Sequence, residues 1–270
     1  MKKGYKIIKD AIYLPSLDKI PNDMVGIEVI AQFCKEEDVF RTENGAIKQI
    51  QNLHKMAPFN AVGRWVQNNL GYVGEIINMQ YFIKHPNYKI TAPHQDGAYF
   101  DNTEDDILTF WIPLHVVNEQ TSTMFYVDWD GKREILPHKA IGTNKRTRTG
   151  KTGFSQYTDV YPLEDFKPVE LEYGDCVVHN QFAIHYSNEN KTDKPRIALT
   201  CIIKLNKMKI GDRVAKNAET WEPNDFDDWG RGTGVGYIMD PPFEMEDGWV
   251  DVKWPTGRCF EQIKHLKLIK

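Results

Sequence analysis

A histidine and a carboxylate stand two positions apart in Pro93-His94-Gln95-Asp96-Gly97. On an extended strand, side chains at i and i+2 project to the same face, so His94 and Asp96 can reach one metal ion together. A third ligand has to come from elsewhere. The best candidate is His185, in His179-Asn180-Gln181-Phe182-Ala183-Ile184-His185-Tyr186-Ser187. Two imidazoles and one carboxylate on one face of an octahedron leave three positions open, the facial triad of non-haem Fe(II) oxygenases. A His-x-Asp pair alone is a weak signal, because a surface histidine beside an incidental aspartate reads the same way. His179 competes for the third place, since strand parity admits either histidine.

The downstream context narrows this. Arg196 follows His185 by eleven residues, at the end of Ser187-Asn188-Glu189-Asn190-Lys191-Thr192-Asp193-Lys194-Pro195-Arg196. Jointly, His94-Gln95-Asp96, Thr109-Phe110-Trp111, Gly174-Asp175 and His185 through Arg196 resemble the phytanoyl-CoA dioxygenase-like family of Fe(II)/2-oxoglutarate oxygenases. The resemblance covers about residues 40–205. It implies His94, Asp96 and His185 as iron ligands, with His185 preferred over His179 because Arg196 has the required spacing from it. It implies 2-oxoglutarate on two of the open positions and O2 on the last, with succinate and CO2 as products. Arg196 suits the far carboxylate, because a guanidinium can pair with it through two parallel hydrogen bonds. Ser187, two residues beyond His185, would face the same way on a strand and matches a family contact to that carboxylate. Thr109 and Trp111 match the strand lining the cosubstrate pocket, and Gln80 and Lys84 match a preceding strand facing it; core packing explains these four equally well.

The presence of Asp96 favours hydroxylation over halogenation, in which a small residue replaces the carboxylate. Desaturation, ring closure and epimerisation use the same triad. His115 and His138 read as structural or loop residues. The family's segment after the tryptophan strand is altered here, to Asn118-Glu119-Gln120-Thr121-Ser122 and Val127-Asp128-Trp129-Asp130-Gly131. The substrate therefore does not carry over, and no residue pattern indicates CoA.

Several elements must position these residues. After a short strand from Tyr5 and a partly helical Asp23 to Cys34, a turn at residues 40–47 leads into an expected helix carrying Ile47, Ile50 and Leu53. A second helix is expected over Asn60 to Leu70, with Val62, Trp65, Val66 and Leu70 on one face and Gly71 as its stop. From Ile76 the pattern turns to strands: 76–84, 88–92, 107–117, 123–127, 169–172, 175–179 and 196–205. That reads as a mainly β jelly-roll or cupin-like barrel with flanking helices and the metal at one mouth. The family implies the same double-stranded β-helix. Residues 136–151 carry Lys139, Lys145, Arg146, Arg148 and Lys151 without an acidic residue. They read as a solvated loop or as a lid that attracts an anionic substrate.

The remainder reads as a separate unit, dividing the chain into 1–206 and 207–270. Gly211-Asp212-Arg213-Val214, Gly234 to Ile238, Trp249 to Trp254 with the turn Pro255-Thr256-Gly257, and Leu266 to Ile269 resemble a small SH3-like barrel of the Mind-bomb type. About 60 residues is marginally enough to fold alone. Trp221, Trp229, Trp249 and Trp254 either line a groove for a protein partner or fill its core.

The chain has 270 residues and a formal charge of −4, which argues against bulk binding to nucleic acid. Its four scattered cysteines form no CxxC pair and read as free thiols in a reducing compartment. With no h-region after Met1-Lys2-Lys3 and no long apolar run, a cytoplasmic protein off the membrane is expected. The leading reading is a hydroxylase of a small polar metabolite, or of a protein recruited by the tail. A barrel that binds without turnover and a cupin metalloenzyme without 2-oxoglutarate compete. The intact His94, Asp96, His185 and Arg196 speak against the first, and Arg196 against the second.

Overall fold

The computed structural model describes residues 3–12, 17–33, 39–41, 48–70, 72–100, 106–129, 132–141, 155–218, 221, 234–242 and 249–269. The chain begins with β1 (Tyr5–Ile8), α1 (Met24–Phe33), β2 (Val39–Arg41), β3 (Lys48–Ile50), α2 (Ala57–Leu70) and β4 (Tyr72–Lys84). It continues with β5 (Thr91–Gln95), β6 (Asp106–Pro113), β7 (Met124–Tyr126), β8 (Lys139–Ile141) and β9 (Ser155–Tyr157). Next come β10 (Lys167–Pro168), β11 (Cys176–Asn180), β12 (Ile184–Ser187) and β13 (Arg196–Lys209). A large sheet has the order β1-β11-β6-β13-β4-β3-β2 and a small one β10-β7-β12-β5, while β8 and β9 pair as a two-stranded sheet. All pairings are antiparallel. The large and small sheets form the jelly roll.

Strand alternation sorts the large sheet into two faces. Phe110, Ile112, Val178, Leu199, Cys201, Met79 and Tyr81 point outward, into a buried cluster with Ile27 of α1 and Phe59, Val62 and Val66 of α2. Covering both faces explains why β6 is buried at nearly every position. The inner face holds Trp111, Val177 and Ala198, which meet Met124 and Tyr126 of the small sheet in a second cluster. The buried polar residues Gln80, Lys84, Thr109, His179, Arg196 and Thr200 share the parity of that inner face. The helices therefore seal one side of the sheet, and the polar groups gather on the other.

The expected helix through Ile47, Ile50 and Leu53 is not formed. Residues 42–47 lie outside the described residues, but Lys48–Ile50 is a strand paired with β4. Asn52 has φ 62°, which ends the strand before a 3-10 turn at Leu53–Lys55. Ile50 and Leu53 are both fully buried, so two patterns bury the same residues and sheet pairing decided between them. The expected strand at 169–172 is reduced to a single bridge between Leu171 and Val117. The second helix forms as expected, with Val62 and Val66 buried.

Five strands close the chain: β14 (Arg213–Lys216), β15 (Gly236–Met239), β16 (Trp249–Lys253), β17 (Arg258–Gln262) and β18 (Leu266–Leu268). Their order is β17-β16-β15-β14-β18. They bury their own cluster of Val214, Ile238, Val250, Val252, Trp254, Ile263 and Leu266. Trp254 donates from Nε1 to Glu261 Oε1 at 3.0 Å, and Glu261 pairs with the buried Lys216. Trp254 is therefore core, whereas Trp249 is exposed, Trp221 lies 4.8 Å from the Lys216 ammonium, and Trp229 falls outside the described residues. β17 had no counterpart in the sequence reading. Among the described residues no helix is long and apolar enough to cross a membrane.

Candidate metal centre

His94 on β5 and His185 on β12 are paired directly across the small sheet, with ring centroids 4.4 Å apart. In each, Nδ1 sits on the carbonyl oxygen two residues earlier: Ala92 O at 2.8 Å for His94 and Ala183 O at 3.1 Å for His185. A carbonyl only accepts, so each Nδ1 carries the proton and each Nε2 presents a lone pair. Asp96 Oδ1 lies 3.8 Å from His94 Nε2 and 3.6 Å from His185 Nε2. One ligand atom from each of the three residues falls within 4.8 Å of the others. Two neutral imidazoles and a carboxylate converging on one point suit a divalent transition metal with open positions.

Asp96 does not sit where strand parity put it. β5 ends at Gln95, and Asp96 opens a 3-10 turn, Asp96–Tyr99. The turn is held by Gly97 N donating to Gln181 O at 2.9 Å. A Cβ on Gly97 would meet Ile135 Cδ1 at 2.5 Å and Gln181 O at 2.9 Å, so only glycine lets the turn approach this closely.

The second oxygen of Asp96 is occupied by protein. Thr109 Oγ1 donates to Oδ2 at 2.6 Å, and His179 Nε2 lies 3.1 Å from it. Tyr126 Oη is 2.8 Å from His179 Nδ1. Thr109 thus meets the Asp96 carboxylate. His179 sits beside the cluster, its ring centroid 4.4 Å from that of His185. Burial opposes ionisation of Asp96, but the His179 hydrogen bond and the surrounding imidazoles outweigh it and hold the carboxyl well below its usual range. Burial also pulls His94 below its ordinary pKa and His185 well below. All three groups are held in the ionisation state that a metal requires.

A second cluster lies on the inner face of β4 and β13. Lys84 and Arg196 are direct cross-strand partners, 0% and 1% exposed. The Lys84 ammonium donates to Asn188 O at 2.6 Å, Ser187 Oγ at 3.0 Å, Ser187 O at 3.2 Å and Thr91 Oγ1 at 3.4 Å. Arg196 lies 5.2 Å from the Trp111 ring and donates from Nη1 to Phe82 O at 3.2 Å, while its buried Nε has no partner. Among the described residues no carboxylate pairs with either cation. Burial lowers Lys84 to about 6, helped by the Arg196 charge, and lowers Arg196 to about 9. A buried guanidinium with an orphaned N–H, beside a lysine that burial strips of its charge, is costly unless an anion completes it. Gln80 shares this inner face, its Oε1 bonded by Asn78 Nδ2 at 3.4 Å.

His115 and His138 are structural: each accepts a backbone N–H at Nε2, from Ile197 at 2.9 Å and Gln95 at 3.1 Å. Of the basic run at 136–151, Lys139 pairs with exposed Asp159. Lys145, Arg146, Arg148 and Lys151 lie outside the described residues. The sequence reading missed Tyr126; only its pairing opposite His185 across β7 and β12 brings it to the site.

The family model for phytanoyl-CoA dioxygenase (PhyH) matches residues 17–198 and ends before the C-terminal sheet. A comparison with curated proteins finds no match. Among solved structures, EvdO2 from Micromonospora carbonacea var. aurantiaca is similar at 20% identity and TM-score 0.55, covering 78% of this chain and 90% of that one. The non-haem alpha ketoglutarate dependent epimerase SnoN from nogalamycin biosynthesis is similar at 16% identity and TM-score 0.52, covering 75% and 78%. EctD from S. alaskensis, solved with bound Fe, is similar at 13% identity and TM-score 0.50, covering 75% and 73%. At these identities the likeness is one of fold.

Proposed function

This chain belongs to the phytanoyl-CoA dioxygenase family, and on that premise we propose that it hydroxylates an aliphatic C–H bond of a small polar metabolite. It is an Fe(II)- and 2-oxoglutarate-dependent oxygenase. In this reading His94, Asp96 and His185 hold the iron, and Arg196, Lys84 and Ser187 hold the far carboxylate of 2-oxoglutarate. Bound together, iron and 2-oxoglutarate supply the oxidising power of O2 to a substrate C–H, with release of succinate and CO2. The residues of the chain orient, charge-match and exclude water. Arg196 offers a planar pair of donors, Lys84 a second positive charge, and Trp111 a flat wall under the guanidinium. Asp96 keeps the third ligand position for a carboxylate, which favours hydroxylation over halogenation.

The observation that carries this reading is the pairing of two sites between the same two sheets: a three-residue metal cluster and, linked to β12 through Lys84 and Ser187, two buried basic side chains with no carboxylate partner among the described residues. A cupin enzyme without 2-oxoglutarate has no need of the second. The test is an anaerobic titration with Fe(II) and then 2-oxoglutarate, watching for the weak visible charge-transfer band of a chelated 2-oxo acid. The band should appear, and should be lost in His185→Ala. Iron binding without the band would favour a different cupin chemistry, and no iron binding would favour a non-catalytic barrel.

We further propose a division near residues 206/207, with residues 207–270 forming an SH3-like unit that recruits a protein partner. β13 runs on to Lys209, and the separate cluster around Trp254 supports a unit beyond it. Hydroxylation of a recruited protein is the second reading, favoured by that unit. A cytoplasmic location agrees with the buried free thiol of Cys176.

A further inference from the structure

Tyr126 touches one of the three candidate ligands, His185, and reaches a second, Asp96, through His179. Its ring stacks on His185, with centroids 5.6 Å apart and planes at 30°. Its hydroxyl meets His179 Nδ1 at 2.8 Å, and His179 Nε2 meets Asp96 Oδ2 at 3.1 Å. The chain of donors has one consistent direction. An ionised carboxylate only accepts, so His179 Nε2 carries the proton. His179 Nδ1 is then a lone pair, and the Tyr126 O–H donates to it. Tyr126 is fully buried, and Tyr5 of β1 stacks on its other side with centroids 4.3 Å apart. Its hydroxyl is therefore placed by packing from both sheets.

We propose that Tyr126 is a positioning residue that fixes, by anchoring the His179 ring at Nδ1, which oxygen of Asp96 faces the metal. This rests on the metal reading given above. With Thr109 Oγ1 at 2.6 Å, His179 completes two donors on Oδ2 and leaves Oδ1 turned toward the imidazoles of His94 and His185. One free oxygen makes Asp96 a one-point ligand, so that coordination positions stay open for cosubstrate and O2. Without the Tyr126 hydroxyl, His179 Nδ1 is a buried acceptor with no donor. The proton stays on Nε2, facing the carboxylate, but the ring has lost its anchor on the other side. It is then free to shift off Oδ2, and Asp96 loses its fixed orientation.

The test uses the full chain and Co(II), a redox-inert probe with a ligand-field spectrum, and measures affinity and absorption rather than turnover. Outer-shell partners of metal ligands are worth roughly 10–100-fold in affinity, so Tyr126→Phe should weaken Co(II) binding by about 10-fold and alter the spectrum. His179→Gln keeps an N–H donor near the Nε2 position and has no Nδ1 for the Tyr126 hydroxyl to anchor, so it should hold affinity within about 3-fold of the parent. In that background, adding Tyr126→Phe should change affinity less than about 2-fold. The proposal is overturned if Tyr126→Phe binds Co(II) like the parent, or if it weakens binding equally with and without His179→Gln. If Tyr126→Phe does not fold, as read by circular dichroism of the apo chain, His179→Gln is compared with His179→Leu. Equal affinities in that pair overturn the proposal, and a tighter His179→Gln supports it. If no variant, nor the parent, binds Co(II), the metal reading itself fails, which is a different outcome from parent binding with indifferent variants.

Discussion

Replacing Lys84 by methionine should make the apo protein more stable while impairing its use of 2-oxoglutarate. The ammonium is 0% exposed, and its pKa falls from 10.5 to about 6 on folding. Between those values the unfolded chain binds the proton and the folded chain does not, so stability rises with pH through that window. At pH 7 the folded state stands 3.5 units (10.5 − 7) below the unfolded pKa. At about 1.4 kcal/mol per unit, that is a cost of about 5 kcal/mol. Methionine removes that cost but also removes the bonds donated to Ser187 O and Asn188 O and the one shared with Ser187 Oγ. Three hydrogen bonds at about 1 kcal/mol each offset about 3 kcal/mol. Asn188 O keeps a second donor in Ser122 Oγ. The net gain for Lys84→Met is then on the order of 2 kcal/mol, or roughly 4–8 °C in Tm for a chain of this size. Urea melts of both proteins from pH 6 to 9 test it. Wild-type stability should climb with pH by up to about 1.4 kcal/mol per unit relative to Lys84→Met. A Lys84→Met protein less stable than wild type at pH 7, together with parallel pH profiles, would refute the reasoning.

Arg196→Ala should raise the 2-oxoglutarate requirement on the order of 100-fold, the usual consequence of removing one partner of a buried charge pair; isothermal titration with the cosubstrate checks this, and unchanged affinity counts against the assignment. Gly97→Ala should weaken Fe(II) or Co(II) binding by about 10-fold, because the new Cβ drives the Asp96 turn off Ile135 and Gln181 O; metal titration of the folded variant reads it, and parent-like binding would mean that the turn yields without moving Asp96. Glu261→Ala takes the carboxylate from the buried Lys216 and should destabilise the C-terminal sheet by roughly 3–5 kcal/mol. Hydrogen exchange should show that loss in β14 to β18 and not in β6 or β11, and uniform loss would mean that the two parts unfold as one.

The site was legible where it depends on residue type at short spacing. His94-x-Asp96 and the run from His185 to Arg196 name a metal and a carboxylate because only certain side chains ligate or pair with them. The second helix was legible for a similar reason, since its apolar stripe is local. What local pattern left open was decided by register between strands distant in sequence. His179 and His185 have the same parity, and tertiary structure separates them: β11 pairs His179 with Thr109 of β6, where both meet Asp96 Oδ2, whereas β12 pairs His185 with His94. Parity also misplaced Asp96, which reaches the cluster from a 3-10 turn tied to Gln181 O. Lys84 became a nearly neutral amine because the fold buries it and, secondarily, because β4 and β13 set it against Arg196. Tyr126 joined the site only because β7 lies beside β12. Residue types are written along the chain, but which donor meets which lone pair is a property of strand register, which pairing over long separations sets.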